Sequence, residues 1–131
     1  MKYYHSSSSL FDFPDYEQMH NNRTGHANGA LGLWCGSDDW CISKFGGLYG
    51  YELEVDYSDE NVYDMEIEEL SDLGGDGDYS EKEHVKIFTE LHDYYLNKGI
   101  KIIRIIEGNQ ESRMAVILDF SLIKNISLIK K

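Results

Sequence analysis

The sequence is poor in proline, cysteine and positive charge, and it has no long apolar run. One proline, Pro14, in 131 residues argues against a linker-rich chain. Two cysteines, Cys35 and Cys41, stand six apart, a spacing of neither a zinc pair nor a redox motif, so reduced and partly buried thiols are expected. Twelve basic residues face 24 acidic ones, a net charge of −12. That balance repels nucleic acid and anionic membranes alike. It leaves a basic protein surface, or a small ligand held in a pocket whose local sign differs from the average. No segment approaches the ~20 apolar residues a membrane-spanning helix needs, and no signal-peptide pattern is present, so a cytoplasmic protein is expected.

What is present suits one folded domain over residues 1–131. Hydrophobic residues make up 41% and aromatics 13%, enough for a single core without metal or disulfide staples. Lys2 to His5 reads as a short strand, and Ser6 to Ser9 as the turn that ends it. His5 is thereby expected at a strand end where the chain opens into a loop, a common place for a working side chain. Leu10 to Phe13 is an apolar segment closed by Pro14, and Asp15 to Met19 predicts one helical turn. Asn21 to Gly32, with three glycines, reads as a loop.

Apolar character returns at Gly32-Leu33-Trp34. Ser37 or Asp38 then caps a short helix over Asp39 to Phe45, with Trp40, Phe45 and either Cys41 or Ile42 inward. Leu48 to Asp56 alternates as a strand with Tyr51, Leu53 and Val55 on one face. Asn61 to Ile67 predicts a further short or edge strand. Glu66 to Asp78 reads as a solvated acidic loop, since its glycines and aspartates lack the ligand spacing of a calcium loop.

Ser80-Glu81-Lys82-Glu83 is a capping box opening a helix with Val85, Phe88, Leu91 and Tyr95 on one stripe and Gly99 at its end. Ile100 to Ile106, Met114 to Leu118 and Ile123 to Ile129 complete the strands, with a turn at Gly108-Asn109-Gln110. Sequential strand pairs read as antiparallel, so the class is α+β with a strand-dominated core.

In this order the segments resemble the ADP-ribosyltransferase superfamily, specifically its small, single-domain, diphtheria-toxin-like members. Those open with a strand ending in an aromatic–His pair, here Tyr4-His5-Ser6-Ser7. A Gly-Leu-aromatic strand and short helix follow, here Gly32-Leu33-Trp34 and Asp38 to Phe45. Next come Glu54-Val55-Asp56 and the pattern Asn, hydrophobic, x, Asp, here Asn61-Val62-Tyr63-Asp64. A helix, a glycine and a strand lead to an acidic turn and to Asp119-Phe120-Ser121-Leu122-Ile123-Lys124. The resemblance covers nearly the whole chain and extends to small phage-encoded transferases, one of them an anti-CRISPR protein.

The resemblance implies two small antiparallel sheets around an NAD cleft, and transfer of ADP-ribose from NAD to a macromolecular target. His5 would bond a ribose hydroxyl, the Ser6 backbone the nicotinamide amide, and Trp34 would offer a stacking face where it is otherwise a core tryptophan. Tyr4 and Phe45 join the cofactor side, and Arg23 is the cation in the loop facing the phosphates. Cleaving the nicotinamide–ribose bond passes through an oxocarbenium-like state that a carboxylate stabilises. Counting forward from Gly99 gives Glu107; counting back from Asp119 lands near Met114, whose nearest acid is Glu111. Both remain candidates. The acidic surface suits a basic protein target. A second reading is a non-enzymatic DNA mimic whose working surface is Glu52 to Asp78. A third is an inactive transferase fold kept for binding.

Overall fold

The computed structural model describes residues 1–7, 10–17, 27–45, 47–70, 72, 81–108 and 110–130; the side chains of 27, 28, 44, 45, 81 and 110–112 lie outside that description. The strands are β1 Lys2–Ser7, β2 Leu33–Gly36, β3 Tyr49–Val55, β4 Val62–Glu66, β5 Ile102–Glu107, β6 Gln110–Ile117 and β7 Ile123–Lys130. The helices used below are α1 Trp40–Phe45, α2 Ile67–Leu70 and α3 Glu81–Asn97. The class is α+β and strand-dominated, with all seven strands in one sheet ordered β4-β5-β6-β2-β1-β3-β7.

Two small sheets were expected, and the continuity has a narrow origin. A single residue pair, Tyr4 with Gly36, joins β1 to β2, whereas six pairs join β1 to β3 and four join β2 to β6. The strand pairs are antiparallel except β4 with β5, which run parallel. That departs from the antiparallel expectation because α3 lies between them in the chain, and a parallel pair needs such a crossover.

Alternation along the strands gives the sheet two buried faces. On one, Met65, Ile103, Ile105 and Val116 pack with Phe88 and Tyr95 of α3 and with Ala30 and Leu31. The helix stripe thus sits where its 3.6-residue period places it, and the chain leaves α3 through Gly99 at φ +84°, a left-handed geometry that glycine takes without strain. On the other face, Tyr3, Leu33, Cys35, Tyr51, Leu53, Val55, Ile102, Ala115 and Ile117 form a cluster drawing on strands from both sides of the β1–β2 joint.

Several local readings shift. β1 runs through Ser6 and Ser7, which register with Gly50 and Tyr49, so the serines extend the strand they were expected to end. A carboxylate cap opens α1, Asp38 Oδ1 accepting from Trp40 N–H at 3.1 Å. Cys41 and Ile42 face inward, but Trp40 is 39% exposed, with the Arg113 guanidinium over its ring. The segment expected as a loop from Glu66 begins with α2. Ser80 of the capping box lies outside the described residues.

Asp119 closes the turn before β7. Its Oδ1 accepts from Ser121 N–H at 2.9 Å and from the Ser121 hydroxyl at 2.7 Å, and Lys124 Nζ donates to the Ser121 carbonyl at 3.1 Å. The Asp119–Lys124 signature is therefore a turn cap. The serine hydroxyl holds the Asp119 carboxyl below its ordinary range. Asp119→Ala is expected to cost ~1 kcal/mol at neutral pH in urea unfolding. Because the folded value is depressed, that contribution is present above the unfolded carboxylate pKa (~3.9) and is lost as pH falls through the folded value.

Candidate functional site

His5 lies within β1, opposite Tyr51 of β3, on the face carrying Tyr3 and Tyr51. It is half-buried, and its Nδ1 lies 2.6 Å from the Trp34 carbonyl oxygen of β2. A carbonyl oxygen only accepts, so Nδ1 carries the proton and donates. Burial lowers the His5 pKa, and the hydrogen bond to Trp34 offsets this only in part. At neutral pH the ring is thus the uncharged Nδ1–H tautomer. Its Nε2 presents a lone pair with no partner among the described residues.

An aromatic wall stands beside it. The Phe11 ring lies 6.1 Å from His5 and stacks on Tyr51 at 4.3 Å. Tyr51, itself buried, accepts from Phe11 N–H at 2.9 Å and donates to the Phe11 carbonyl at 3.2 Å, so one hydroxyl pins the 10–17 segment over the sheet. Neither Phe11 nor Tyr51 was a sequence candidate. The available signal was a hydroxyl on the buried stripe of β3, which needs a polar partner nearby.

Ser6 and Tyr4 contribute differently from expectation. The Ser6 hydroxyl accepts from Gly47 N–H at 2.9 Å, and any side chain at position 47 would collide with Ser6 and Ser7. The Tyr4 carbonyl accepts from the Cys41 thiol at 3.1 Å, seating α1 under β1. Past Tyr4, β1 has no register partner on its β2 side among the described residues, so the sheet opens there. Trp34 meets His5 through its backbone alone. Its ring packs with the α3-side cluster, on the opposite face from His5, because neighbouring residues of a strand point opposite ways. The stacking platform expected of Trp34 is not assembled beside His5.

Across the sheet, register carries the His5 row further. One step from the Tyr4–Gly36 bridge sets His5 beside Cys35, which pairs with Ala115, which pairs with Arg104, which pairs with Asp64. All five share one face. His5 and Arg104 thus stand roughly 14 Å apart along the sheet at ordinary strand spacing, with the small residues Cys35 and Ala115 between them. Glu107, the last residue of β5, lies ~10 Å further along that strand. It is exposed and opposite Gln110, at a turn where Gly108 takes φ +63°. Glu111 registers with Ile106, and its side chain, like that of Phe45, lies outside the description. Arg23 is outside the described residues altogether. Met114 packs with the α3-side cluster. The structure therefore joins His5 to Trp34 directly and places Glu107 at the tip of β5, three strands away and by strand alternation on the opposite face, without contact between them.

No family model, curated protein or solved structure matches the chain. Among the described residues no helix is long and apolar enough to cross a membrane.

Removing the imidazole tests the tautomer assignment. His5→Ala is expected to cost ~1 kcal/mol or somewhat more at pH 7, for one hydrogen bond and the packing lost with it. The folded pKa lies below the unfolded value near ~6.5, so the unfolded chain binds the proton first as pH falls. Wild-type stability is therefore full above that value and declines below it until the folded value is passed. The gap between wild type and His5→Ala, read by urea unfolding at pH 7 and pH 5, is expected to narrow at the lower pH; a constant or widening gap contradicts the assignment.

Proposed function

We propose that the chain is a mono-ADP-ribosyltransferase that moves ADP-ribose from NAD to a host macromolecular target. The observation that carries this reading is His5, held neutral by burial and oriented by the Trp34 carbonyl so that Nε2 is an acceptor beside an aromatic wall. A ribose hydroxyl is a donor, and a fixed acceptor at the open end of β1 suits it. The narrow β1–β2 joint supports reading the one sheet as an ADP-ribosyltransferase-like arrangement. In that reading β4-β5-β6-β2 and β1-β3-β7 are two half-sheets hinged at the Tyr4–Gly36 bridge, and NAD enters where they part.

On this reading His5 holds a ribose and the backbone near Ser6 holds the nicotinamide amide. The glycosidic bond breaks with its electron pair leaving on nicotinamide, the anomeric carbon bonds to the acceptor nucleophile, and the acceptor gives up its proton. A carboxylate stabilises the positive charge that develops on the ribose. Glu107 is the preferred group, being exposed at the end of β5, and Glu111, which registers with Ile106 next to it, is the alternative. With a net charge of −12, the protein suits a basic target, for which a nucleic-acid-binding defence protein of a phage host, met in the host cytoplasm, is the class we favour.

The test is calorimetric titration of the protein with NAD, followed by transfer of labelled ADP-ribose to proteins of a host lysate. Binding in the wild type is expected, with labelling reduced about 10²-fold or more by Glu107→Ala and less by Glu111→Ala. Absence of NAD binding at millimolar ligand overturns the reading. If the protein then displaces DNA from a basic partner, the acidic-mimic alternative takes its place.

A further inference from the structure

Residues 10–17 lie against the sheet as a strap held at both ends by aromatic side chains. At one end the buried Tyr51 hydroxyl accepts from Phe11 N–H at 2.9 Å and donates to the Phe11 carbonyl at 3.2 Å, with the two rings stacked at 4.3 Å. At the other, the Tyr16 ring lies flat on the His92 ring of α3, 3.7 Å away and 5° from parallel, and its hydroxyl donates to the Ala30 carbonyl. Pro14, between these ends, is buried, whereas Leu10 and Phe13 are exposed. Among the described residues no backbone–backbone hydrogen bond joins 10–14 to a strand. The Phe11 end is thus attached through one hydroxyl rather than through a ladder.

That end stands beside His5. The Phe11 ring centre is 6.1 Å from the imidazole, on the face that His5 shares with Tyr51. The groups around the imidazole are polar without being charged. Tyr51 flanks it on β3 and keeps its proton, since it donates to a carbonyl. Cys35 is next to it by register on β2, a buried thiol pushed up by that burial and so neutral. The charges of β1 and β3, Lys2, Glu52 and Glu54, alternate to the opposite face. On the strap, Asp12, Asp15 and Glu17 are exposed, and further along the His5 row Arg104 and Asp64 neutralise each other. Burial is therefore what disfavours an imidazolium here, with no charged neighbour among these to offset it. Phe11 supplies the part of that burial that can leave without unmaking a ladder.

We infer that residues 10–17 form a strap whose docking, latched by the Tyr51 hydroxyl, holds His5 in the neutral form that can accept a hydrogen bond. A docked Phe11 disfavours a charged ring, and a charged ring disfavours a docked Phe11 by the same free energy. Proton uptake turns Nε2 from an acceptor into a donor. The consequence for a ribose hydroxyl rests on the transferase reading; the coupling of strap and ring stands without it.

The experiment titrates the His5 ring by NMR in the full-length wild type, Tyr51→Phe, Phe11→Ala and Phe13→Ala. Tyr51→Phe keeps the stacking ring and removes both latch bonds, and Phe13→Ala alters an exposed strap residue. Phe11→Ala is expected to bring the His5 pKa up toward the ordinary ~6.5 and Tyr51→Phe part of the way, with Phe13→Ala at the wild-type value. Acidifying the wild type through that titration is expected to lower the protection of the Phe11 amide against hydrogen exchange, while Leu53 stays protected. Should Phe11→Ala fail to fold, Tyr51→Phe carries the test. An unmoved His5 pKa in the folded variants, or Phe11 protection indifferent to the titration, overturns the inference. A ring with its ordinary pKa is charged in about three of four molecules at pH 6, so NAD affinity of Phe11→Ala is expected to fall about fourfold from pH 7.5 to pH 6, and that of the wild type less. A wild type that binds no NAD sinks the transferase reading, and the ring titration still decides the strap.

Discussion

The sheet hangs on a joint one residue pair wide, and the hydrogen bond from His5 Nδ1 to the Trp34 carbonyl reinforces that joint from a side chain. Below it, Tyr3 and Leu33 pack into a core shared by both halves. Beyond it, β1 continues for three residues paired only with β3. A fully laddered β1–β2 pair would satisfy the backbone and close the space. The short one leaves an opening, and the imidazole that bridges it is neutral because it is buried. One contact thus fixes ring orientation and tautomer, and burial keeps the ring neutral against it.

The same face distributes its polar groups in an ordered way. On each strand the hydrophobic cluster takes one part and leaves another. It takes Tyr3 and leaves His5 with a free acceptor atom, and it takes Ile102 and leaves Arg104. Arg104 is a cation on a protein of strongly negative net charge, neutralised by Asp64 from the neighbouring strand. The row from Asp64 to His5 therefore joins an ion pair at one end to a neutral acceptor at the other. Between them Ala115 and Cys35 are buried in the core cluster.

Much of this was legible from residues whose local chemistry had one solution. The alternation of Tyr51, Leu53 and Val55 gave β3 its buried face, the stripe Val85-Phe88-Leu91-Tyr95 gave α3, and Gly99 gave its end. His5 stood out as a polar residue beside two aromatics, but its bond to the Trp34 carbonyl was not foreseen. Legibility failed where long-range pairing overrode local preference. Ser6 and Ser7 favour turns in isolation, but Tyr49 and Gly50 supply ladder partners and Gly47 supplies a donor to the Ser6 hydroxyl. For Trp34 the sequence left a platform and a core role both open, because aromatic identity is visible in a sequence and the face it occupies is not, until the register of β2 is known. The Asp64–Arg104 pair is 40 residues apart in the chain and joins parallel strands, a separation no local pattern announces.

The most direct test is nitrogen-15 NMR of the His5 ring at neutral pH, free and titrated with NAD. The predicted spectrum shows a protonated Nδ1 and an unprotonated Nε2, and NAD shifts Nε2 as it accepts a hydrogen bond while Nδ1 keeps its proton. A ring protonated at Nε2 alone, a doubly protonated ring, or an Nε2 resonance indifferent to millimolar NAD would contradict it.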